Sequence, residues 1–228
     1  MTGNKCYECG LTNYASATSC RRCEAPLGFP RAVDALPVEA GEVQEKSSLK
    51  KIILKSALRI SIVVGFILFV CYATLLSTSE PVLLEQKDIV FKAIDVIEQK
   101  GFSREAFVLR HMVFYRSTDN WWNRKVGHAG AYAATNFPFE VVTLYPSFFS
   151  NTTDDVERAS VLLHEAHHLL GRGEERAYEE VWRNKRQLGW TKEKYAHTVV
   201  WNNVITETAQ YVPELFQCGQ DKKSDCIE

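Results

Sequence analysis

The sequence predicts an α+β domain of about 150 residues, enough for its own core, standing behind one membrane span and a small cysteine-rich module. Three observations carry this. An H-E-x-x-H array at His164–His168 sits in a helix-forming segment preceded by two strand-like runs. An uncharged stretch from Ile60 to Leu76 is long enough to cross a bilayer, and four cysteines fall in two C-x-x-C pairs near the amino terminus. The chain divides accordingly into a cysteine module at 1–27, a flexible linker at 28–49, a transmembrane helix at 50–78 and the α+β domain at 80–228. Its net charge of −1 gives no sign of a polyanionic partner.

In the first module Cys6-x-x-Cys9, Asn13 and Cys20-x-x-Cys23 supply four thiolates in two knuckles, which suits a closed, structural, tetrahedral zinc site. So short a segment buries too little apolar surface to fold alone, and metal binding supplies the missing stability. The pattern C-x2-C-x3-N-x6-C-x2-C resembles the Ran-binding-protein type of zinc finger, some of whose members bind single-stranded RNA or ubiquitin. That family carries a tryptophan two positions before its first cysteine, where this chain has Asn4. With only Arg21 and Arg22 available to track phosphates, the module reads as a protein-interaction or sensing knuckle rather than a nucleic-acid reader.

From Pro26 to Ser48 the composition is rich in Pro, Ala, Glu and Val without a period, as expected of a linker. The apolar run that follows extends back to Ile52 if Lys55 and Arg59 snorkel, and it reads as a retained single-pass anchor. Lys46, Lys50, Lys51, Lys55 and Arg59 crowd its amino-terminal side, which places the amino terminus in the cytoplasm and the larger domain in the periplasm or exterior. Cys218 and Cys226 would then be free to form a disulfide outside.

Within 80–228, Phe107–Tyr115 and Phe139–Tyr145 read as strands, the second ended by Pro146. Between them Trp121–Tyr132 reads as a long polar and aromatic loop able to carry His128 or Tyr132 towards a reacting group, although a purely structural loop is the simpler expectation. Thr152 to Asp155 then offer capping and acidic first-turn residues to a helix whose apolar surface is Val156, Ala159, Val161, Leu162, Leu163, Leu169 and Leu170, stopped by Gly171 and Gly173. Residues 174–188 read as a second helix and Lys192–Phe216 as a third.

On the first of these helices His164 and His168 lie four residues apart, so both rings can reach one metal ion, with Glu165 on the adjacent strip. A catalytic zinc keeps three protein ligands and one water, and Glu165 is placed to take that water's proton. The third ligand must come from beyond the glycine bend. The mean direction of Ala177, Tyr178, Val181, Trp182 and Leu188 coincides with Glu174, and a carboxylate centred on an apolar face needs a partner or a metal. Glu175, Glu179 and Glu207 remain alternatives. His167 reads as a packing or supporting histidine.

H-E-x-x-H-x-x-G-x-x-E resembles the zincin superfamily of zinc metallopeptidases, with metzincin spacing but glutamate at the third position. Metzincins place a methionine turn beneath the metal, whereas Met1 and Met112 both precede the motif here. The resemblance implies a small zincin-like domain, a mixed sheet plus an active-site helix, in which an edge strand holds substrate by strand addition and Glu165 activates water against a peptide carbonyl. The function expected is a membrane-anchored zinc metallopeptidase acting on a peptide or protein substrate. The alternative is a non-enzymatic membrane adaptor with structural zinc outside and a cytoplasmic partner on the knuckle.

Overall fold

In a computed structural model the chain is described for residues 3–27, 42–127, 130–219 and 224–227, and it divides into two units, Met1–Ser61 and Ile62–Glu228. The expected α+β class holds, mostly helical, with one sheet of two strands and one of three among the described residues.

The first unit opens with the short antiparallel pair β1 (Asn4–Lys5) and β2 (Thr12–Asn13). Gly3 is needed beside it, since a Cβ there would stand 2.4 Å from the Asn13 carbonyl oxygen. The long helix α1 (Glu42–Ser77) begins inside the stretch read as linker; residues 28–41 of that stretch lie outside the described ones. From Lys50 to Ser77 it is the one described helix long and apolar enough to cross a membrane, and only 6% of its most apolar stretch is buried, which rules against a core helix. Ile53, Leu54, Phe66 and Phe69 are among its exposed side chains.

In the second unit, α2 (Leu84–Gln99) and α3 (Ser103–His111) pack together and against the helix that carries the histidines. Residues 107–111, expected in a strand, therefore belong to α3. Phe107-Val-Leu109 looks β-like in isolation, but Ala106 and Leu109 are buried at helical spacing and fix the outcome. Only β3 (Phe114–Arg116) is extended. The expected loop from Trp121 instead begins as a helix, α4 (Trp121–Val126), because the Asn120 side chain accepts from the Trp122 and Asn123 amides at 3.0 Å. His128 lies outside the described residues.

β4 (Ala133–Asn136) and β5 (Val141–Leu144) complete the sheet in the order β3-β5-β4, β5 being parallel to β3 and antiparallel to β4. Within the sequence-predicted strand at 139–145, β5 is thus central and wholly buried, and β4, unread in the sequence, is an edge. A buried amide network seats this edge. Asn120 donates to Asn136, Asn136 to Asn123 and Asn123 to Thr143, at 2.7, 2.8 and 3.1 Å.

After the short α5 (Pro146–Ser150) comes α6 (Asp155–Leu169), capped by Asp154, which accepts from the Val156 and Glu157 amides. Buried Glu157 accepts from Thr153 and from Thr198, tying the start of α6 to a later helix. The expected helix at 174–188 is α7 (Glu174–Arg183) and α8 (Lys185–Leu188), broken at Asn184. That at 192–216 is three pieces: α9 (Lys192–Tyr195), α10 (Val199–Tyr211) restarted by the Thr198 cap, and a 3-10 turn at Pro213–Phe216. The core gathers Ile94 and Ile97, Leu109, Leu162 and Leu163, and the mutually packed Trp182, Trp190 and Trp201.

Candidate metal centre

Two groups among the described residues bring together enough donor atoms to hold a metal ion. The first is Cys6, Cys9, Cys20 and Cys23. Their sulfurs approach to 3.6 Å for Cys6 with Cys23 and 3.5 Å for Cys9 with Cys20, against about 3.8 Å across a tetrahedron with 2.3 Å bonds. Asn13 explains its place in the pattern: its carbonyl oxygen accepts from the Arg21 amide, and its amide nitrogen donates to the Leu11 carbonyl and the Cys20 sulfur, so it fastens one knuckle to the other. The Arg22 amide, with that of Cys23 and the Asn13 side chain, holds the Cys20 thiol down at about 6, the form a metal needs. Chelation should therefore expose about four thiols to rapid alkylation, counted by mass spectrometry of the full chain, where the metal-loaded protein stays protected.

The second group is His164, His168 and Glu174. His164 and His168 lie one turn apart on α6. At its end Gly171 takes a left-handed conformation, φ 77°, that a side chain would strain, and the chain reverses into α7 so that its first residue, Glu174, returns to the rings. The two Nε2 atoms are 2.9 Å apart, and the Glu174 oxygens lie 3.2 Å from His164 and 3.4 Å from His168. Tetrahedral coordination with 2.0–2.1 Å bonds asks for separations of about 3.3 Å, so the donors fit zinc with a slight opening of the histidine pair. The His168 Nδ1–H donates to the Arg172 carbonyl at 2.9 Å, which orients the ring and leaves Nε2 for the metal.

The electrostatics favour bound positive charge. Burial works against protonating His168, yet its hydrogen bond with Glu174, the charge of Glu165 and the Arg172 carbonyl outweigh it and hold the imidazole up at about 9. The same contacts with His164 and His168 hold the Glu174 carboxyl far below the usual carboxylate range.

Of the alternatives for the third donor, Glu175 is exposed and Glu179 is engaged by Arg176 and Arg183, while Glu207 reaches the cleft wall without joining the donor group. Glu174 itself is half exposed rather than sunk in an apolar face.

Glu165 stands apart from the donors. It is buried, and its Oε2 accepts from the Thr135 hydroxyl at 2.6 Å, a contact supplied by β4. The sequence offered little warning of Thr135: Ala133-Ala-Thr-Asn136 has no run of β-branched or aromatic residues. Donors and Glu165 share a cleft of about 850 Å³ whose walls include Tyr132, Thr135, Tyr178 and Asn203. Tyr132, considered for a catalytic role, accepts from Asn203 at 2.7 Å on this wall, and Tyr178 packs on His164 with ring centroids 4.3 Å apart. His197 is exposed and off the wall.

His167 is buried outside the donor group, and its Nδ1 faces Arg172 at 2.9 Å. Burial, reinforced by the charge of Arg172, pushes its pKa down from 6.5 to about 3. Between those values the unfolded chain takes up a proton that the folded chain refuses. The contribution of His167 to stability is thus fully present above pH 6.5 and is lost at up to about 1.4 kcal/mol per pH unit as pH drops through this window. Urea midpoints measured against pH should show this loss in the wild type and a shallower one in His167→Gln.

Comparison with known proteins finds no matching family model, curated protein or solved structure.

Proposed function

We propose that this chain is a membrane-anchored zinc metallopeptidase in which His164, His168 and Glu174 hold the metal and Glu165 is the general base. The observation that carries the reading is the convergence of three donors beside a buried, hydrogen-bonded carboxylate in one open cleft. Zinc held there would polarise a bound water and bring its pKa to about 7. Glu165 accepts the proton released as the water attacks a peptide carbonyl, then delivers it to the departing amine. The Thr135 hydroxyl keeps the carboxylate aimed during both transfers. β4, the sheet edge that lines the cleft, is the element to which an extended substrate would add by main-chain hydrogen bonds.

In this reading α1 is a single-pass anchor with the knuckle in the cytoplasm, on the strength of the basic residues at its amino-terminal side. The Cys218–Cys226 disulfide accords with an outer compartment for the domain that follows, and the four thiols of the knuckle accord with a reducing one. The knuckle would then bind a cytoplasmic protein partner through its own structural zinc. Zinc content and peptide cleavage, measured together on the full chain and on Glu165→Gln, test the assignment; a fourth protein ligand on the outer zinc would favour the adaptor alternative instead.

A further inference from the structure

Beside the metal cleft lies a smaller, mainly apolar cavity of about 270 Å³. Cys71 and Leu75 from the last turns of α1, Trp121 and Trp122 from α4, and Phe137 and Phe139 form most of its wall. Thr135 and Phe137 belong to the walls of both cavities. The end of the apolar helix is fastened to the domain at this point: Tyr72 packs on Phe114 and Phe139, and the Trp121 indole N–H and amide donate to Thr74 and Thr78 at 3.2 and 3.1 Å. Phe137, at the shared wall, is 60% exposed, and Trp122 and Phe114 are half exposed.

An apolar hollow with an exposed aromatic rim, built partly from a bilayer-crossing helix, belongs at the lipid boundary, where tryptophan and tyrosine concentrate. β4 leads from one cavity to the other: Ala133 and Ala134 line the cleft, Thr135 lines both, and Asn136 lines the apolar hollow. Its four residues span about 13 Å, so a strand laid along it would have one end at the metal donors and the other at the membrane.

Resting on the peptidase reading above, we propose that the second cavity receives an apolar side chain of a substrate polypeptide anchored in the same membrane, so that the enzyme cuts juxtamembrane segments. Binding there would press on Thr135, whose hydroxyl holds Glu165, and so link recognition of the anchored end to placement of the base.

The test reconstitutes the full chain, loaded with zinc, in phosphatidylcholine vesicles with single-span reporter polypeptides bearing a long outer segment of mixed sequence. Cut positions are mapped by mass spectrometry against a Glu165→Gln background. Cuts should cluster within about ten residues of the bilayer, with an apolar residue on the membrane side, and changing that residue to aspartate should slow cleavage about tenfold or more. Filling the hollow by Cys71→Trp should bring the ratio of near-bilayer to distal cutting towards one, while the aspartate change needs no alteration of the protein. Cuts spread evenly along the segment, or tolerance of aspartate, would overturn the proposal and leave the hollow to a lipid chain. Failure to cut any reporter with zinc bound would overturn the peptidase reading, and this proposal with it.

Discussion

On the proposed reading, Glu165→Gln is expected to keep zinc at His164, His168 and Glu174 and to lower peptide hydrolysis by about two to four orders of magnitude. Glutamine matches glutamate in shape, and its carbonyl oxygen can still accept from the Thr135 hydroxyl, so the 2.6 Å contact and the packing beneath the cleft survive. What disappears is basicity at the buried carboxylate beside the donors. Metal analysis should therefore report about the same zinc as the wild type, while initial rates on a peptide pool collapse. Unchanged hydrolysis would remove Glu165 from its assigned role. Loss of zinc together with activity would instead make it a ligand, contrary to its separation from the donor group.

The second large effect lies away from the cleft. Lys185 and Asp225 form an ion pair at 2.7 Å with side chains only 2% and 6% exposed. The lysine ammonium lies 4.5 Å from the centre of the Trp182 ring, and Asp225 also accepts from the Trp182 indole N–H and the Ile227 amide. The Cys218–Cys226 disulfide closes the segment that delivers this carboxylate. Asp225→Ala removes this countercharge from the buried ammonium and should cost the domain about 3–5 kcal/mol, which lowers its Tm by roughly 10 °C. Lys185→Met combined with Asp225→Leu should recover most of that loss, because two apolar side chains need no compensation. Calorimetry of both variants beside the wild type checks both statements. Equal destabilisation by the single and double changes would mean that Asp225 acts through its hydrogen bonds to Trp182 and Ile227 rather than through charge.

Legibility in the sequence followed the locality of the forces. The C-x-x-C pairs with Asn13, the apolar run of α1 and the histidine helix with its Asp154 cap are fixed by residues a few positions apart, and the chain folds there as its spacing suggests. Glu174 was also accessible, because one glycine reversal and one helical period determine where it points. Phe107-Val-Leu109 could not be read correctly, since an apolar run of that length suits a strand or a helix equally. Burial of Ala106, Val108 and Leu109, with α3 packed against α2 and α6, selects the helix. The segment from Trp121 misled for a related reason: its helix depends on one asparagine cap tied into a buried amide network with Asn136 and Thr143, partners distant in sequence.

By itself, then, the sequence determined the two groups of donor residues able to hold a metal, the apolar helix and the carboxylate beside the histidines, because each is written in short-range spacing. Tertiary structure alone decided that β4 is a sheet edge beside the cleft, that Thr135 holds Glu165 and that an apolar hollow at the end of α1 shares a wall with the cleft. Those are pairings between weakly patterned segments dozens of residues apart, and they exist only once the core made by α2, α6 and β5 has brought the segments together.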